Sequence, residues 1–216
     1  MNEQSSRITR QGPILLAACS VLCTSMLTAC GGDDNDIEIG EYDCSVFPAA
    51  QSSAYILPWL VGQSYEAIPH TGRDGPTHYA IDILMPIGTE LVAIRDGVVT
   101  AVEERFVDGD HGPANSNYIL VEHDDGTIAL YFHLTNMGAI AQVGDDVRQG
   151  DIIARSGDTG PSTQPHLHLE VLMAGCADIR QCPNIPLNFR NAQAASGTTD
   201  LSCGLRHFVS YRAMPF

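Results

Sequence analysis

Read for polarity alone, the middle of the chain alternates with a period of two. Over residues 78–84, Tyr79, Ile81 and Ile83 fall on one face, and His78, Ala80 and Asp82 fall on the other. The alternation recurs over 166–171, where Leu167, Leu169 and Val171 oppose His166, His168 and Glu170. Successive side chains of a strand point to opposite faces, so each segment predicts a half-buried strand. Residues 90–94, 98–103, 118–123, 127–134 and 152–155 predict further short strands, several of them bounded by Asp-Gly or Gly-Asp turns. In 127–134 the pattern places Ile128, Leu130 and Phe132 toward the core, and Ala129, Tyr131 and His133 away from it. No stretch of ten or more residues in this region holds a 3.6-residue period. The pattern therefore predicts a mostly β, antiparallel domain. Residues 44–64, which carry the only tryptophan, Trp59, predict a lid or edge packed on its core. Beyond Cys176 the chain reads as loop-rich, and the pattern assigns no element to 198–216.

The N-terminal residues follow another logic. Arg7 and Arg10 precede a run of small and apolar residues over 12–29, which ends at Cys30. This order predicts a targeting segment rather than part of the fold. A membrane span needs about 20 apolar residues, and this run is shorter and interrupted by Ser, Thr and Cys. Leu27-Thr28-Ala29-Cys30-Gly31 resembles a bacterial lipobox, which implies cleavage before Cys30 and lipid on its sulfur. The expected organisation is a signal peptide over 1–29, an acidic tether over 30–43, and a domain over 44–216 with its core at about 65–174. Several acyl chains on Cys30 would hold the protein stably at a membrane. By resemblance to known lipoprotein sorting, Gly31 after the cysteine, rather than aspartate, implies the outer membrane, facing the periplasm, in a cell that has one.

Charge and cysteine content narrow the partners. The formal net charge is -15, which argues against nucleic acid, whose phosphates need a basic face. A monomer is expected. Of 7 cysteines, two lie in the leader and Cys30 takes lipid. Cys44, Cys176, Cys182 and Cys203 remain, an even set that suggests two disulfides in an exported chain. Three pairings are possible, and Cys176–Cys182 with Cys44–Cys203 is favoured.

The candidate chemistry lies on the polar faces of three predicted strands, which hold His78 and Asp82, then His133, then His166 and His168. A single histidine on a strand is usually structural. Four of the 8 histidines in such positions, with an aspartate, point to a metal centre. Imidazole and carboxylate suit Zn²⁺, and three protein ligands with an open position form the catalytic pattern. His111, His123 and His207 read as surface or structural residues.

Several of these segments resemble the lysostaphin/LytM-type zinc metallopeptidases. The resemblance is carried by His78-Tyr79-Ala80-Ile81-Asp82, Pro86-Ile87-Gly88-Thr89, Tyr131-Phe132-His133-Leu134, Ser156-Gly157-Asp158-Thr159-Gly160 and Pro165-His166-Leu167-His168, in that order, across about residues 65–171. It implies an antiparallel sheet/barrel-sandwich hybrid fold with a groove over the sheet, and hydrolysis of peptide bonds in peptidoglycan stems or cross-links. It implies Zn²⁺ held by His78, Asp82 and His168, with His133 and His166 as catalytic residues. Tyr131 and Glu170 are expected to support the site or the core. Two positions depart from the family's pattern. Gln164 replaces a glycine before Pro165-His166, which puts substrate fit in question. Ala80 replaces a glycine between His78 and Asp82, and four strand residues span about 13 Å, too far for two ligands of one metal unless the chain bends. His70-Thr71-Gly72 offers a second His-x-Gly, so His70 stands as the alternative first ligand. Degenerate relatives give the alternative function, a non-hydrolytic module that activates cell-wall amidases.

Overall fold

The computed structural model describes residues 43–70, 79–175, 179, 181–195, 197 and 199–216. The leader and almost all of the tether expected over 1–43, with Cys30, lie outside them, as do His78 and Cys176. In chain order the strands are β1 (Ser64–Ile68), β2 (Ile81–Leu84), β3 (Glu90–Val92), β4 (Gly97–Glu103), β5 (Tyr118–Glu122), β6 (Ile128–Phe132), β7 (Leu134–Ala139), β8 (Asp146–Val147), β9 (Ile152–Ser156), β10 (His166–Leu172), β11 (Ala192–Ala194) and β12 (Val209–Ala213). Nine of them form one sheet in the order β11-β12-β1-β2-β10-β6-β5-β4-β8, and β3-β9-β7 form a second. Every pairing between them is antiparallel. The mostly antiparallel β class expected from the alternation is the class observed.

One apolar cluster joins the two sheets. Ile83 of β2, Leu167, Leu169 and Val171 of β10, and Ile119 and Val121 of β5 meet Leu91 of β3 and Ile153 of β9 within it. Trp59 belongs to the same cluster and is 1% exposed, so residues before β1 pack on the core as expected. On β6 the phase is opposite to the expected one. Ala129 and Tyr131 are the residues that enter the main cluster. Leu130 is also buried, and Phe132 lines the groove on the other side of the sheet. β6 lies between β10 and β5 and has apolar residues on both faces, so alternation alone cannot choose the inward one. Tyr131 is accordingly structural. Its hydroxyl accepts from the Ile94 amide at 2.8 Å and donates to the Val92 carbonyl at 3.3 Å, and burial raises its pKa.

β7, β11 and β12 were not expected from the pattern. β12 pairs with β1, from Ser64↔Arg212 to Ala67↔Val209, so the C-terminal segment extends the large sheet at its β1 side. Its signal is in the sequence, because Val209, Tyr211 and Ala213 alternate with Ser210 and Arg212. A disulfide joins Cys44 to Cys203 across 159 residues and ties the two ends of the domain together, as expected. Cys182 is also disulfide-bonded, while the partner expected for it, Cys176, lies outside the described residues.

His123 is structural. It is 4% exposed, and its Nδ1–H donates to the Asp96 carbonyl at 2.8 Å. Burial lowers its pKa and favours the neutral ring.

Candidate metal centre

The register of the large sheet assembles the site. β10 runs between β2 and β6, and His168 lies directly opposite Asp82 on one side and Phe132 on the other. Directly opposed side chains on one face have Cβ atoms about 5 Å apart, close enough for contact. His168 Nδ1 is 2.9 Å from Asp82 Oδ1. His166 precedes His168 by two residues and shares its face, with Nε2 3.8 Å from the same oxygen. The expected partition of β10 holds: His166, His168 and Glu170 point into the groove side, and Leu167, Leu169 and Val171 enter the core.

A third donor comes from just past β1. His70 Nδ1 is 3.1 Å from Asp82 Oδ2, and its ring centroid is 4.7 Å from that of His168. His70, Asp82 and His168 each offer one donor atom, and these atoms lie within 4.8 Å of one another. Among the described residues, His70 therefore fills the place expected for His78, which lies outside them. The spacing objection at Ala80 also changes form. β2 begins at Ile81, and Tyr79 sits in a turn with its amide bonded to Asn184 Oδ1 at 3.0 Å. The chain ahead of Asp82 is thus not an extended strand.

These donors fit a divalent cation. Zn²⁺ bonds imidazole and carboxylate at about 2.0–2.2 Å, which separates tetrahedral donors by roughly 3.4 Å. The three atoms here need only small movements to reach that spacing. The protonation pattern supports the fit. Burial alone would suppress charge on His168, but hydrogen bonding to Asp82 and Glu170 overcomes it and raises its pKa to about 9. Burial likewise opposes the charge of Asp82, and hydrogen bonds from His168 and His70 hold its pKa far below the usual carboxylate range. Positive charge is favoured between these groups, and a cation would take the place of the proton. Glu170 extends the arrangement: Oε1 lies 3.8 Å from His168 Nε2, and Oε2 accepts from Asn184 Nδ2 at 2.9 Å. A carboxylate behind a ligating imidazole fixes its tautomer and orientation. Asn184 gave no signal in the sequence, since a lone asparagine in a loop is ordinary.

Two further imidazoles flank the donors. His133 follows the last residue of β6 and has φ 63, in the left-handed region. By alternation it would follow Tyr131 into the core. The left-handed turn places it in the groove instead, with its ring 4.6 Å from His166 and 5.9 Å from His168. Its Nδ1–H donates to the Thr159 carbonyl at 2.6 Å. A carbonyl can only accept, so Nε2 is the unprotonated nitrogen of the neutral ring. Burial, with His166 and His168 nearby, pushes its pKa down to about 4. His166 is oriented in the same way, with Nδ1 donating to the Gln164 carbonyl at 2.8 Å.

The loops that hold these carbonyls are stitched together. Asn117 is fully buried and donates from Nδ2 to the carbonyls of Phe106, Leu134 and Thr135. Thr159 Oγ1 accepts from the Asn117 amide and donates to Leu134. Asp158 receives Ser162 Oγ at 2.7 Å, and Ser162 Oγ lies 3.2 Å from His166 Nδ1. His111 Nε2 is 3.2 Å from the other oxygen of Asp158. At Gly157 a Cβ would fall 2.3 Å from the Thr135 amide and 2.5 Å from Asp108 Oδ1, so only glycine fits this approach. Gln164 is exposed on the groove and is not among the non-glycine residues with positive φ. The backbone there does not require the glycine of the family pattern, and the effect of Gln164 is confined to its side chain at the groove rim.

The groove above the donors has a volume of about 940 Å³. The chain matches the family model "Peptidase family M23" over residues 76–178, a span that includes Asp82, His133, His166 and His168. It is 34% identical over 132 residues to peptidoglycan DD-endopeptidase ShyA of Vibrio cholerae, covering 60% of this chain and 28% of that protein. It is 37% identical over 119 residues to glycyl-glycine endopeptidase ALE-1 of Staphylococcus capitis, covering 55% of this chain and 31% of that protein. The chain thus spans less than a third of either relative. Among solved structures, the catalytic domain of lysostaphin from Staphylococcus simulans is 33% identical, with 58% of this chain and 88% of that one covered and a TM-score of 0.41. With its groove and its converging donors, the segment over residues 76–178 is the part of the chain that matches peptidase family M23.

Proposed function

We propose that the protein is a zinc endopeptidase that hydrolyses peptide bonds in the stems or cross-links of peptidoglycan. The observation that carries this reading is the convergence of three donor atoms within 4.8 Å on the groove, beside two oriented imidazoles. The names of the relatives supply the substrate class. Asp82 and His168 hold the metal. The third donor comes from the segment between β1 and β2: His70 is the one in contact, and His78 stands four residues before Asp82 within the family match. Bound zinc would polarise the scissile carbonyl and make water a nucleophile near neutral pH.

The protein's own groups then handle protons and orientation. His133 is neutral at pH 7 and presents Nε2 to the groove, so it accepts a proton from the attacking water without first losing one. That proton passes to the amine nitrogen as the C–N bond breaks. His166, held by the Gln164 carbonyl, presents its own Nε2 beside the reacting carbonyl and steadies charge on its oxygen when that nitrogen is protonated. The amidase-activating alternative has less support, because the donor and flanking histidines that a non-hydrolytic module can dispense with are assembled here.

Digestion of purified peptidoglycan, with mass analysis of the fragments, tests the reading. Zinc-loaded protein is expected to cut peptide bonds and leave glycan intact. A chelator should stop the reaction and added zinc restore it. Fragments cut in the glycan, or activity indifferent to chelation, would contradict the proposal.

We also propose that the protein works outside the cytoplasm, lipid-anchored through Cys30. The lipobox-like run supports this, and so does the Cys44–Cys203 disulfide, a bond at home in oxidising compartments. Full-length protein recovered from bacterial membranes should begin at an acylated Cys30 by mass spectrometry. A soluble product with an unmodified Cys30 would count against the anchor.

A further inference from the structure

One wall of the groove is built by residues outside the family match. Ile68 ends β1, Pro69 and His70 follow it, and Phe208 immediately precedes β12. All precede residue 76 or follow residue 178. Phe208 is held in place by its backbone, since its amide donates to the Ala67 carbonyl at 2.7 Å. Its φ is 59, in the left-handed region that a bulky side chain rarely adopts. Its side chain gains no core burial from this conformation: the residue is 62% exposed and lines the groove. A large aromatic held in an unfavourable backbone conformation and left facing a cleft has no evident folding role.

The groove's charge pattern indicates what meets this ring. Among the described lining residues Asp82 is the only carboxylate, and none is lysine or arginine. Asp82 is already committed to His70 and His168. Among the described residues, the β1/β12 wall thus offers no free carboxylate, lysine or arginine to a charged substrate side chain, while Ile68, Pro69 and Phe208 offer apolar surface.

We propose that Phe208 is a specificity-determining contact that packs against an uncharged, aliphatic residue of the substrate peptide, such as alanine, on the β1 side of the scissile bond. This rests on the reading of the site as a peptidase. Aromatic surface of this kind gives binding area with little loss of side-chain freedom.

The test uses the full domain with its zinc, and two soluble stem-type peptides that differ only in alanine or glutamate beside the scissile bond. Phe208→Gly removes the ring and suits a positive φ, so the domain should keep its zinc content and thermal stability. KM for the alanine peptide is expected to rise about tenfold, with a smaller change in kcat, and preference over the glutamate peptide should shrink. Phe208→Tyr should retain both. Unchanged KM and unchanged preference in zinc-loaded Phe208→Gly would overturn the proposal. If wild-type protein cleaves neither peptide, the peptidase reading fails by itself. Calorimetric binding of the same two peptides then decides the contact: about tenfold weaker binding of the alanine peptide to Phe208→Gly supports it, and equal binding refutes it.

Discussion

Replacing Asp82 or His168 by alanine is expected to strip the protein of zinc and reduce peptidoglycan hydrolysis by more than about 100-fold, beyond what loss of an outer-shell partner alone costs. Asp82 is the hub of the centre, because its two oxygens reach His70 and His168 separately. Removing it takes away a donor and also the anion that offsets the buried positive charge. Removing His168 takes away the donor that Glu170 orients. Zinc content after dialysis, measured beside fragment release, checks both. The same assay on His70→Ala and His78→Ala assigns the third donor. One of the two should lose stoichiometric zinc and the other retain it. Retention by both would refute the three-donor arrangement.

His133→Ala is expected to lower kcat by about 10²–10⁴-fold while zinc stays bound, the range found when a positioned proton-transfer group is removed. His133 belongs to neither the donor set nor the core. It is held at the Thr159 carbonyl with Nε2 turned to the groove. Its left-handed backbone complicates a simple deletion, since alanine is strained at φ 63. His133→Asn is the companion variant, because asparagine tolerates that conformation and lacks the imidazole. Both variants should lose turnover. Recovery of activity in His133→Asn would assign the residue to loop geometry instead of proton transfer. An amidase-activating function would survive either substitution, so an activation assay on the same proteins separates the two readings.

The difference between Asp82, His166 and His168 on one hand and His133 on the other shows how far the sequence reaches. The first three are legible because they sit on strands with one apolar face, where period two assigns each side chain a side. His133 was found in the sequence for a reason that the fold replaces. It reaches the groove by a left-handed turn at the end of β6, while the strand face it was assigned to is the core face of Ala129 and Tyr131. Phase on β6 was illegible because both its faces carry apolar residues. Asn117, Thr159 and Asn184 were illegible too, since a side chain that bonds to distant backbone carries no local periodic mark.

By itself, the sequence determined a mostly β antiparallel domain, the core face of β10, the cluster of imidazoles with Asp82 and the family resemblance, while the pairing of Cys44 with Cys203 was one of three open to it. Those depend on short-range alternation and on residue chemistry. The tertiary structure decided which histidine of the described chain touches Asp82, which face of β6 turns inward, and which residues wall the groove. Each of these depends on strands far apart in sequence lying side by side: β12 beside β1 brings Phe208 to the groove, and β10 between β2 and β6 sets Asp82, His168 and Phe132 in one row. Register between distant segments is fixed by the packing of the whole sheet, and no local pattern encodes it.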